Sequence, residues 1–238
     1  MTRTVCLGDS IIRAQVSADC VKMLRDRAAS VGGSHTFINA GVNGDLAYNA
    51  LQRLDEVIAA RPDVVTVLLG TNDANASLSE TNVQMMTKMK KLEVRPTIEW
   101  YEENLRAIAE RLAKETDARV ALLSLPVLGQ DPGTLPVLRA AAYSEVVKRT
   151  AAEFGATYLP LYETQLAHLE SVGAKAGIPF QDGKKLSSRA AMQHFMLFRS
   201  FDAISRRRGL ELTTDFIHQN TTGAAMIAGL IGDFVLGG

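Results

Sequence analysis

The sequence predicts an α/β fold built on a five-stranded parallel sheet. Short runs rich in Val, Ile and Leu alternate with longer stretches whose apolar residues recur at helical spacing. The run Val64 to Leu69, introduced by Pro62-Asp63, is continuous in β-branched residues and leucine, as in a strand buried on both faces of a parallel sheet. Strands that alternate with helices in this way are joined by right-handed crossovers and lie parallel.

Thr4 to Gly8 is the first strand, and the stretch from Asp19 to Ala29 carries Val21, Leu24 and Ala28 at helical spacing. Thr36 to Asn39 repeats the strand signal, after which Asp45 can cap a helix whose Leu51, Leu54 and Ile58 share one face. Val64 to Leu69 is the third strand and belongs at the centre. After Pro96 an amphipathic helix carries Ile98, Leu105, Ile108 and Leu112, and the fourth strand runs from Val120 to Leu125. Leu135 to Phe154 reads as helix and Thr157 to Leu161 as the fifth strand.

Two segments depart from this repeat. Ala74 to Arg95 places Met85, Met89 and Leu92 on one helical face among lysines. Gln165 to Thr214 is expected to hold a helix over about Ser188 to Arg207, with Ala190, His194, Leu197, Phe201 and Ile204 in one stripe and Met192, Phe195, Met196 and Phe198 on other faces. A helix apolar on so many sides packs on a core or a second subunit, or walls a ligand site. Arg206, Arg207 and Arg208 complement that helix's C-terminal dipole or meet an acidic substrate.

The chain of 238 residues, 47% hydrophobic, suits one domain spanning 1–238, with insertions at about 74–95 and 165–214. Lys+Arg 26 balances Asp+Glu 26, so the overall charge gives no footprint for nucleic acid or an anionic membrane. Cys6 and Cys20 read as small buried hydrophobes. No apolar run approaches the length of about 18 residues needed for a membrane span, and Met1 to Thr4 leave no room for a signal peptide, so a cytoplasmic location is expected.

Ligands bind such sheets beyond the carboxyl ends of the strands. Gly8-Asp9-Ser10, Gly41-Val42-Asn43-Gly44 and Gly70-Thr71-Asn72-Asp73 follow three of those ends, and Asp215-Phe216-Ile217-His218 precedes the last helix. A serine hydroxyl is a weak nucleophile until a base takes its proton, and of His35, His168, His194 and His218 only His218 has a carboxylate three residues earlier in such a loop. Asp215 can reach Nδ1 of His218 while Nε2 faces Ser10. The Ser10 and Gly44 amides and the Asn72 side chain are candidate donors to a developing oxyanion, although Gly44 also reads as an ordinary turn and Asn72 as a helix cap. The elbow Gly-x-Ser-x-Gly is absent because Ile12 holds the last glycine position, and no phosphate loop or Asp-x-Asp pair is present.

These islands resemble the SGNH hydrolases, or GDSL esterases, over nearly the whole chain, with the family letters on Ser10, Gly44, Asn72 and His218. The resemblance implies a three-layer α/β/α fold of flavodoxin-like type and hydrolysis of a carboxylic ester through an acyl-serine, with no metal or other cofactor. The sequence departs from the family in lacking the glycine often found soon after the serine and in placing Gln219 where proline often follows the histidine.

The expected substrate is a small or medium ester. Acyl transfer to an alcohol through the same intermediate, and a ligand-binding module without catalysis, are the other readings. Asp9 and Asp73, Met86 and Met89, and Phe198 and Phe201 are the candidate substrate contacts, with Asp9 also read as a carboxylate that holds the turn of Ser10. The Phe- and Met-rich insertion is alternatively the face of a homo-oligomer.

Overall fold

In the computed structural model, which describes residues 1–32, 34–181 and 184–237, a five-stranded sheet runs in the order β2-β1-β3-β4-β5. The strands are β1 (Thr2–Gly8), β2 (His35–Gly41), β3 (Val64–Leu68), β4 (Arg119–Leu123) and β5 (Thr157–Leu159), and every pairing is parallel. This is the flavodoxin-like order, whose switch point between β1 and β3 opens a crevice at the strand ends.

Helices α1 (Ser10–Arg13) and α2 (Cys20–Val31) follow β1, and α3 (Ala47–Gln52) and α4 (Leu54–Ala59) follow β2. Beyond β3 come α5 (Thr71–Ala76), α6 (Glu80–Lys90) and α7 (Ile98–Glu115), and α8 (Leu135–Phe154) lies between β4 and β5. The chain closes with α9 (Leu161–Ser171), α10 (Lys184–Phe195), α11 (Phe201–Arg208) and α12 (Thr221–Leu236).

Alternation along the strands divides the core into two layers. Val5 and Leu7 of β1 with Val65 and Val67 of β3 face α7 and α8, whose Leu105, Ile108, Val137 and Val147 pack against them. Cys6, Val64 and Leu68 point the other way, onto Val21 and Leu24 of α2 and Ile227 and Ile231 of α12. Both faces of β3 are therefore covered, which explains why its sequence lacks a polar face. Cys6 and Cys20 are buried as free thiols, and burial pushes the Cys6 thiol up to about 11.

Two expectations require correction. The helix expected from Ser188 to Arg207 is two helices, α10 and α11, joined by a turn in which Phe198 has φ 52°. Ser200 explains the break, because its hydroxyl accepts the Ala203 N–H at 3.2 Å and so starts a new helix. Asp45 does not cap α3. Its carboxylate instead pairs with Arg53 at 2.8 Å and Lys90 at 3.0 Å, so charge pairing across the fold has taken the local cap's place.

Among the described residues, no helix is long and apolar enough to cross a membrane.

Candidate active site

Gly8 ends β1 where no side chain fits, since a Cβ there would lie 2.3 Å from Cγ1 of Ile12. The chain can consequently turn sharply into α1, with Asp9 Oδ1 accepting the Ile11 N–H at 2.8 Å. Ser10 is the first residue of α1, and its Oγ lies 3.1 Å from Nε2 of His218. The other ring nitrogen, Nδ1, is 2.7 Å from Asp215 Oδ2.

The loop from Asp215 to His218 is organised by its own carboxylate. Asp215 Oδ1 accepts the backbone N–H groups of Ile217 at 3.2 Å and His218 at 2.8 Å. Phe216 is held in the left-handed region at φ 72°, buried, with its N–H given to Thr213 Oγ1. A bulky residue there costs strain, which the surrounding packing on Leu186 and Leu210 offsets. The Thr213 and Gln219 backbones pair across the loop as an isolated antiparallel bridge.

Burial by itself raises the Asp215 carboxyl, but the charge of His218 and the hydrogen bonds it receives outweigh this and hold it at about 2. For His218 burial works downward, and the attraction of Asp215 overcomes it, so the imidazole is raised above 6.5. The pair thus favours an ionised carboxylate beside an imidazole that readily accepts a proton.

Gly44 adopts φ 73°, which a side chain would strain, and the Ser10 and Gly44 amide N–H groups make no hydrogen bond among the described residues. Asn72, in the first turn of α5, directs its side-chain N–H groups to Asp9 Oδ2 at 3.2 Å and to the Asp45 carbonyl at 3.0 Å. Arg53 donates to the Gly8 carbonyl at 3.1 Å as well as to Asp45, and Lys90 donates to the Asn43 carbonyl at 3.0 Å. The loops after β1, β2 and β3 are therefore tied together by Asp9, Asp45, Arg53 and Lys90. Sequence reasoning missed Arg53 and Lys90, because each meets Asp45 from a separate element and no local spacing announces the contact.

A cleft of about 380 Å³ opens over these residues, lined by Ser10, Gly44, Asn72 and His218 and walled by Met86 and Met89, among others. Ser187, Ser188 and Ala191 of α10 close its other side. Asp9, Asp73, Phe198 and Phe201 do not line it. Asp9 lies beneath Asn72, and Asp73 is buried with its carboxyl turned to the Ala47 N–H. Burial pushes Asp9 to about 6 and Asp73 to about 7. Phe201 stacks on His194 at 4.0 Å, whereas Phe198 projects from the turn between α10 and α11. Neither aromatic is a wall of the cleft, because the break in the helix turns them away.

A second depression of about 430 Å³ at the opposite ends of the strands, by Arg119, Phe154 and Phe234, is lined by no serine, cysteine or histidine. Among the described residues, no group of three His, Cys, Asp or Glu side chains is placed to hold a metal ion.

The model of the GDSL-like Lipase/Acylhydrolase family matches residues 6–225. The chain belongs to that family. As a GDSL-like acylhydrolase it is a carboxylic ester hydrolase. Solved structures agree in fold. The acetyl xylan esterase AlAXEase superposes with a TM-score of 0.72 at 18% identity, over 98% of this chain and 100% of that one. A lipase/acylhydrolase from Enterococcus faecalis gives 0.64 at 22% identity, over 100% and 96%. Axe2, an acetylxylan esterase from Geobacillus stearothermophilus, gives 0.67 at 16% identity, over 97% and 92%. No curated protein matches the sequence.

Proposed function

We propose that this acylhydrolase is a serine esterase that cleaves a small or medium carboxylic ester through an acyl-enzyme on Ser10. The observation that carries the reading is the chain of contacts from Ser10 Oγ through His218 to Asp215, at 3.1 and 2.7 Å, on the floor of the cleft. Ser10 Oγ attacks the ester carbonyl carbon as its proton passes to Nε2 of His218, and Asp215 stabilises the imidazolium that results. Charge then gathers on the carbonyl oxygen, within reach of the Ser10 and Gly44 amides. Asn72 adds a donor by sharing an N–H between the oxyanion and its present acceptors.

Collapse of the tetrahedral species breaks the bond to the alcohol oxygen, which leaves with the proton from His218. Water, deprotonated by the same nitrogen, next attacks the acyl-serine and regenerates the free hydroxyl. The methionine wall favours a short or flexible acyl group, since thioethers adapt to apolar shapes without fixed directionality. That two of the similar folds are named acetyl xylan esterases makes an acetyl ester the first substrate to try.

The test is labelling with a fluorophosphonate together with hydrolysis of p-nitrophenyl esters of increasing chain length. Wild type is expected to be labelled and to turn over the short esters, and Ser10→Ala to do neither while melting at the same temperature. Labelling that persists in Ser10→Ala overturns the assignment.

A further inference from the structure

We propose that the corner between α10 and α11 is a docking surface for an anionic lipid membrane, placed so that docking brings the mouth of the cleft to the lipid. The apolar residues there face solvent. Phe198 is 90% exposed and Met196 71%, and Met192, Phe195 and Leu197 are about half exposed beside them. Five exposed apolar side chains within seven positions mark an interaction site.

The charge around the patch identifies the partner. From 185 to 207 the chain carries Lys185, Arg189, Arg199, Arg206 and Arg207 against one acid, Asp202, although its overall charge is zero. Arg189, Arg206 and Arg207 are exposed, and they and Arg199 enter no ion pair among the described residues. Aromatic and aliphatic side chains flanked by cations match a headgroup layer, where the former enter the acyl boundary and the latter meet phosphate. A second copy of the chain fits poorly, because a two-fold contact through this face would set the same arginines against each other.

The corner is also built to hold its shape. His194 stacks on Phe201 and its Nδ1 lies 2.8 Å from the Arg199 carbonyl, and Arg208 ties α11 back to Gln193 of α10. Along α10, Ser188 and Ala191 line the cleft and lie one helical turn from Met192 and Phe195 of the patch. The patch and the cleft mouth are thus neighbours on one helix. Docking rests on this surface alone, and only its use in presenting membrane-borne esters to Ser10 rests on the esterase reading.

Sedimentation with vesicles of phosphatidylcholine, with and without about 30% phosphatidylglycerol, tests the proposal. Full-length wild type and Ser10→Ala are both expected to bind the anionic vesicles at least about tenfold more than the neutral ones and to be released by high salt. Met196→Ser/Leu197→Ser and Arg206→Gln/Arg207→Gln should each lose roughly tenfold in binding. Both should keep the wild-type melting temperature and the rate on a soluble short ester. Equal binding to neutral and anionic vesicles, or none to either, overturns the proposal whatever the variants do. So does a wild-type dimer in solution that Met196→Ser/Leu197→Ser converts to monomer, since the patch is then a subunit interface. Should no ester be hydrolysed at all, vesicle binding still reads out the surface.

Discussion

Asp215 grips His218 at two points, accepting its backbone N–H at 2.8 Å through Oδ1 while Oδ2 lies 2.7 Å from the ring Nδ1. One carboxylate therefore sets both where the loop runs and which way the imidazole points. Asp215→Asn should accordingly disturb orientation and basicity together, with a loss in kcat of about two to four orders of magnitude, and His218→Ala should lose at least as much.

The pH profile follows from the same contact. Only neutral imidazole can take the serine proton, and Asp215 raises the pKa of His218 above 6.5. The acid limb of kcat/KM in wild type should therefore have its midpoint above 6.5, with activity falling as pH drops through it. In Asp215→Asn the midpoint should move to lower pH. A limb that stays in place would mean that another group controls the rate.

Asn72→Ala should lower kcat by about 10- to 1000-fold with little change in KM, if its amide is shared with the oxyanion. Loss of the contacts to Asp9 and the Asp45 carbonyl also loosens the floor of the cleft. The melting temperature of the same variant separates the two effects, since loss of the oxyanion donor alone lowers kcat without lowering it.

Met86 and Met89 line the same wall but differ in packing. Met86 is buried against Leu46, Ala76 and Leu92, whereas Met89 is partly exposed at the rim. Met86→Ala should cost about 2–5 kcal/mol in stability as well as change selectivity. Met89→Ala should shift the preferred acyl length while leaving the melting temperature nearly unchanged, and chain-length profiles with calorimetry on both variants check this.

Asp73 predicts an unusual pH slope of stability. Its folded pKa of about 7 exceeds the ordinary 3.8, so between these values the folded state holds the proton more tightly than the unfolded one. Its contribution is fully present below about 3.8 and is lost as pH rises towards 7. Asp73→Asn should flatten that part of the melting-temperature curve relative to wild type.

Much of the architecture was legible because its signals are local. The strand β3 betrayed its burial on two faces by the unbroken run from Val64, and Ser10, Gly44 and Asn72 were grouped by lying just past strand ends. His218 stood out by the acid three residues before it. What escaped depended on charge pairing between elements in one place and on a local helix cap in another. Asp45 looks like a helix cap until Arg53 and Lys90 meet it, and nothing in the spacing of Phe198 and Phe201 reveals that Ser200 starts a fresh helix between α10 and α12. The stripe drawn through Ala190, Leu197 and Ile204 assumed one continuous axis, and the break at Phe198 redirects half of it.

Ser10 and His218 meet at 3.1 Å although 208 positions separate them, one just beyond the first strand and the other just before the last helix. On a growing chain Ser10 is made 208 positions before His218, so all five strands are already present when the two can meet. α12 packs beside α2 and begins three residues after His218. Reactivity towards a serine-directed probe should consequently serve as a stopwatch for assembly: chains cut before His218 stay dark, and the signal appears only when the loop that carries it has docked.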